Sequence, residues 1–191
     1  MRRLGVLLLA SALTAGCAVV TLVEPKRTTV GDAYSVEPQI RWTSLPARTG
    51  MELWTVDGSG LQSITFVKGV ADGQPVVRGL IQGGAPEDKR PKFRKGMTPS
   101  EIMELLVDSY ALFGNQKIET ANLRPAKFGT ADGFRFEMTF VLRSGLEMQA
   151  LAAGAVVKDR LHALIYSGTR AHYFPKYRDT VERVLASVQL Q

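Results

Sequence analysis

The sequence predicts an α+β fold: a mostly antiparallel sheet flanked by two main helices, over 98–113 and 173–187. Three observations carry this. Strands come in two groups with a helix after each, and no strand–helix–strand alternation repeats as a parallel sheet would require. Phe134, Phe136, Met138, Phe140 and Leu142 alternate with Arg135, Glu137 and Thr139, the period of a strand with one face covered and one wet. Thr98-Pro99-Ser100-Glu101 sets a capping hydroxyl, a first-turn proline and a returning glutamate at the spacing that opens a helix.

The chain has 191 residues and divides into 1–16, 17–31 and 32–191. In the first segment, Arg2-Arg3 precedes an uncharged apolar run, and Leu13-Thr14-Ala15-Gly16 leads to Cys17, the one cysteine present. A positive start, a short apolar stretch and small residues at a cleavage point make an export signal. With the cysteine placed directly after Ala-Gly, the segment resembles the lipobox of bacterial lipoproteins, Thr14 standing where leucine is commoner. The resemblance implies a signal cut before Cys17, an acylated thiol, and anchoring in the membrane. Ala18, where inner-membrane lipoproteins tend to carry Asp, implies the periplasmic face of the outer membrane. The rival reading is an uncleaved helix, since Leu4 to Val23 is free of charge and long enough to span a bilayer. Gly5, Ser11, Thr14 and Gly16 make that span a poor one and leave Cys17 without a role.

A lipidated tether is expected over 17–31, with Pro25 barring helix there, and a single domain over 32–191. Tyr34 to Leu45 reads as a strand that Pro38 confines to an edge or breaks in two. Met51 to Val56 ends in Asp57-Gly58, a pair suited to a hairpin turn, and Leu61 to Val70 returns with Ile64 and Phe66 inward. Asp72-Gly73 turns into a further strand over 76–81.

Between Gln82 and Gly96 the pattern breaks into a loop holding the densest charge run, Lys89-Arg90-Pro91-Lys92-Phe93-Arg94-Lys95. Lys89, Arg90, Lys92, Arg94 and Lys95 form a candidate patch for an anionic partner, with Phe93 inserted among them. A solvated loop is the plainer account of such a run. The helix that follows buries Ile102, Leu105, Leu106, Ser109, Leu112 and Phe113 at helical spacing and ends at Gly114.

In the second half, Lys117 to Leu123 and Ala126 to Phe128 are short strands with Pro125 between them. Asp132-Gly133 turns into the alternating strand. Met148 to Val157 follows, rich in alanine, and Lys158-Asp159-Arg160 leads into Leu161 to Ser167. The closing helix buries Phe174, Tyr177, Val181, Val184, Leu185 and Val188. From Phe134 to Val188 the chain resembles the end of the PsbP/DcrB-like fold. The resemblance is carried by the Asp132-Gly133 hairpin, the strand Arg160-Leu161-His162-Ala163-Leu164, and a last helix ending at Ser187. Val188 departs from the phenylalanine often found there. The resemblance implies a PsbP-like α/β/α sandwich and an accessory role without catalysis.

Composition agrees. With 45% hydrophobic and 22% charged residues the chain is an ordinary globular one rather than disordered or coiled coil. The formal charge is +6, two of it lost with Arg2 and Arg3, and the remaining excess suits acidic surroundings such as anionic headgroups. Nucleic acid is a poor partner for an exported chain. His162 and His172 are the two histidines, and neither sits in a nucleophile elbow, a metal spacing or a phosphate loop. No cofactor and no enzymatic activity are expected. Three functions are compatible with this pattern: an envelope lipoprotein binding a protein or lipid partner, a carrier of a small apolar ligand suggested by Ala150 to Ala155, and, least favoured, a hydrolase using His162 or His172.

Overall fold

The computed structural model describes residues 20–45, 51–79, 81 and 84–191. Cys17 and the segment 1–16 expected as a signal lie outside them. In chain order the strands are β1 (Thr21–Val23), β2 (Thr28–Val30), β3 (Tyr34–Val36), β4 (Trp42–Leu45), β5 (Glu52–Thr55) and β6 (Gln62–Val70). Helix α1 (Pro99–Ala111) follows, then β7 (Gln116–Phe128), β8 (Ala131–Val141), β9 (Glu147–Val157), β10 (Arg160–Thr169), α2 (Tyr173–Ala186) and β11 (Gln189–Leu190). Eight strands make one antiparallel sheet in the order β1-β4-β5-β6-β10-β9-β8-β7, and β11-β3-β2 make a small second sheet.

Both faces of the large sheet are covered, because its central strands are apolar on both sides. Trp54, Ile64, Phe66, Leu164 and Tyr166 pack with Phe174, Tyr177, Val181 and Val184 of α2 and with Val30, Tyr34 and Val36 of the small sheet. On the other face, Phe134, Phe136, Met138, Ala163 and Ile165 pack under Ile102, Leu105 and Leu106 of α1. The expected capping box is in place: the Glu101 amide donates to Thr98 Oγ1 at 3.3 Å, and the Thr98 amide donates to Glu101 Oε2 at 2.7 Å.

The structure departs from the expected elements at several points. Within the tether expected over 17–31, Thr21–Val23 and Thr28–Val30 are instead strands β1 and β2 of the two sheets. Pro38 does divide its segment, into β3 and β4. The strand expected from Val76 does not form. Val76 and Val77 are buried from irregular chain, and the Arg90 guanidinium donates to the Val77 carbonyl at 3.1 Å. Pro125 does not interrupt its strand, because β7 lies at the sheet edge, where a missing amide is harmless. Bulges and positive φ at Lys117 and Asn122 keep that long edge from pairing further.

Asp132-Gly133 is not the turn into β8. Gly129-Thr130 turns the chain, and Gly133 sits inside the strand, where a Cβ would press on the Gly154 carbonyl of β9. Nor is the outer face of β8 wet. Arg135 grips Glu182 of α2 with bonds of 2.6 and 3.2 Å, and Arg178 of α2 reaches Glu137 at 2.8 Å. Alternation located the strand correctly, but a helix carrying opposite charges can cover a charged face.

Candidate functional site

The site emerges where the apolar pattern of the central strands stops. On the α1 side of β6 the alternating residues run Ser63, Thr65, Val67. On β10 they run Leu161, Ala163, Ile165, Ser167. Register places Ser63 opposite Ser167 and Thr65 opposite Ile165, so the apolar end of this face lies under α1 and the hydroxyl end lies at the C-terminal end of the helix. The coil around Val76 and Phe93 fills the first end. At the second, α1 stops at Ala111 and leaves a crevice of about 420 Å³.

The floor crosses five neighbouring strands: Leu53 on β5, Ser63 and Thr65 on β6, Ser167 on β10, Met148 on β9, and Phe140 on β8. Leu45 and Met51 edge it on one side and Leu142 on the other, while Tyr110 and Phe113 of α1 and its C-terminal turn overhang it. Tyr110 meets Phe140 edge to face, with ring centroids 5.4 Å apart. Ser63 and Ser167 share a hydroxyl–hydroxyl bond of 3.3 Å. With Thr65 they are only 5%, 7% and 7% exposed, so the crevice has an apolar wall and a buried polar floor. Burial pushes the Tyr110 phenol up from its ordinary pKa, and the hydroxyls of Thr65 and Ser167 facing it work the other way. The phenol is therefore neutral at physiological pH. Volume and lining fall within the range of small-molecule sites, mostly apolar with a few convergent polar groups.

The residues singled out from sequence fall elsewhere. Of the basic run, Arg90 is turned inward, 6% exposed, donating to the carbonyls of Ala85 and Val77. Lys95 is paired with Asp159 at 2.6 Å, which raises its pKa. Lys89 and Arg94 are exposed and Lys92 is half-buried. Phe93 is wholly buried in the core rather than held among the cations, since an aromatic ring gains more against Val76 and α1 than in water.

His162 lies beneath the small sheet, its ring 6.2 Å from Tyr34, with Nδ1 buried and unpartnered. Burial, then the nearby Arg160, lowers its pKa. His172 stands at the N-terminal boundary of α2, without a side-chain capping bond, beyond the far end of β10, so the two histidines share no site. Among the described residues no group of three His, Cys, Asp or Glu side chains is placed to hold a metal ion, and no helix is long and apolar enough to cross a membrane.

Ala150 to Ala155 do not line the crevice. They are absorbed by the two core layers, where small side chains let large ones of the facing strands and helices approach. The hydroxyls that do line it carry no signal in the sequence, because Ser63 and Thr65 occupy the positions of β6 that a half-covered strand would show to water.

An antiparallel sheet with α1 on one face, α2 on the other and the closing helix packed back over the start of the chain defines a PsbP-like α/β/α sandwich. The solution structure of the cyanobacterial PsbP protein CyanoP, from Synechocystis, matches it with a TM-score of 0.53 at 12% identity, over 96% of this chain and 99% of that one. What the two share is the fold. LpqN of Mycobacterium tuberculosis, described as involved in cell envelope biogenesis, matches at a TM-score of 0.40 and 6% identity, over 93% of this chain and 87% of that one. That likeness is too distant to carry an argument. No protein-family model matches the chain, and none of the curated proteins does.

Proposed function

We propose that this chain is an exported protein of the cell envelope, anchored through an acylated Cys17, whose sandwich domain binds rather than catalyses and holds a small apolar ligand in the α1 crevice. The crevice carries the reading: an apolar-walled opening of about 420 Å³. The anchor rests on the Leu13–Cys17 motif, and the accessory role on the PsbP-like resemblance. Catalysis is disfavoured because the histidines are far apart and the crevice offers hydroxyls with no base beside them. The outer membrane is the location that Ala18 favours.

Two measurements test this. Intact mass and membrane fractionation of wild type beside Cys17→Ser should give an acylated, membrane-bound mature form and an unacylated, soluble variant. A full-length, unacylated membrane protein would replace the anchor with a spanning helix. Titration of the Cys17→Ser protein with the neutral dye N-phenyl-1-naphthylamine should give saturable fluorescence that Leu53→Arg abolishes while the circular dichroism spectrum persists. Failure of the dye to bind would end the carrier reading.

A further inference from the structure

Whether a crevice takes a charged or an uncharged ligand is decided by what stands at its polar end. Here, among the described residues, none of those lining the crevice carries a formal charge at neutral pH. Ser63, Thr65 and Ser167 supply the floor, each hydroxyl offering one donor and two acceptor sites. Such groups match an alcohol or an ester carbonyl. They cannot compensate a carboxylate or phosphate drawn out of water, which costs several kcal/mol when unpaired.

Charges do stand next door, in a recess sharing Phe140 and Met148, but Lys117 and Arg170 are matched there by Glu119 and Glu147. Arg170 lies 3.9 Å from Glu147. Arg143 packs against Gly114 at the overhang but is not among the lining side chains, so among the described residues no cation stands over the hydroxyl floor.

The crevice also opens toward the anchored end of the chain. Thr21 pairs with Ser44, and the next residue of β4, Leu45, edges the crevice. Thr21 comes four positions after Cys17, a reach of at most about 14 Å. A protein held at Cys17 thus keeps this edge close to the bilayer surface.

From these observations, and resting on the carrier reading above, we infer that the crevice selects an uncharged single-chain lipid with a hydroxyl or ester head, drawn from the membrane. The polar head meets the hydroxyls of Ser63, Ser167 and Tyr110 at the middle of the floor, and the acyl chain runs from there along Met148 and Phe140.

The test is displacement of N-phenyl-1-naphthylamine from the Cys17→Ser protein at pH 8 by 1-monolauroylglycerol and by laurate, equal in chain length and different in charge. Monolauroylglycerol should displace the dye at a concentration at least about a hundredfold lower, the gap that several kcal/mol of uncompensated charge implies. Ser63→Ala with Ser167→Ala should weaken monolauroylglycerol about tenfold, and Tyr110→Phe, which keeps the ring and its packing, should weaken it too. Laurate displacing as well as the glyceride would overturn the inference while leaving the carrier reading intact, and so would indifference of both variants. Should acylated wild type fail to take up dye that Cys17→Ser binds, the protein's own anchor fills the crevice and the inference falls. Absence of dye binding altogether is the separate failure of the carrier reading.

Discussion

The pairing of α2 with the charged face of β8 makes a measurable claim about burial. Arg135–Glu182 and Lys127–Asp132 have the same N···O separation, 2.6 Å, but side-chain exposures of 19%/35% and 65%/94%. Two unit charges about 4 Å apart attract by about 4 kcal/mol at an effective dielectric of about 20. Partial desolvation and the ordering of two long side chains offset most of that, leaving a net coupling of about 1–1.5 kcal/mol for the bidentate Arg135–Glu182 pair. The exposed pair should show almost none.

Urea unfolding of Arg135→Met, Glu182→Gln and the double variant closes one cycle. Lys127→Met, Asp132→Asn and their double variant close the other. The first coupling should persist in about 0.5 M salt, since a partly covered pair is weakly screened. Equal, near-zero couplings in both cycles would refute the argument. They would mean that α2 does not cover this face of β8 and that the two ion pairs are ordinary surface contacts.

Gly154→Ala should destabilise by about 2–3 kcal/mol, because the new Cβ would press on the His162 carbonyl of the neighbouring strand; an unchanged urea midpoint would contradict the packing of β9 on β10. Thr98→Ala should cost about 1 kcal/mol through loss of the cap, read as a lower urea midpoint. Hydrogen bonds from Thr98 lower the Glu101 pKa, so the contribution of that carboxylate is present above the ordinary carboxylate range and lost as pH falls through the lowered value. Glu101→Gln should therefore flatten the acid limb of a stability–pH curve. His162 behaves in the related way: with its folded pKa lowered from 6.5, the unfolded chain takes up the proton first, and stability falls as pH drops below about 6.5. The His162→Gln curve should lack that component, and superimposable curves would show the imidazole to be freely solvated.

What the sequence determined by itself was everything encoded by neighbours along the chain. Both main helices, the strands Phe134–Leu142 and Met148–Val157, the break at Pro38 and the Thr98–Glu101 cap were all legible, because period and capping are local properties. The lipobox-like pattern ending at Cys17 is also local, and the proposed anchor and location rest on it. Tertiary structure decided which faces are covered. Alternation marks Arg135 and Glu137 as polar, but only the charges of α2, more than forty residues away, make that face an interface. Pro125 looked like a break until β7 proved to be an edge, where no partner asks for its amide. Arg90 and Phe93 looked like members of an exposed patch until the Val77 carbonyl and the α1 core drew them inward. The candidate site was hidden for the same reason. Ser63, Thr65 and Ser167 are ordinary residues when read apart. They become the floor of a crevice only because β6 and β10 pair in a register that sets Ser63 opposite Ser167 and α1 ends before covering them.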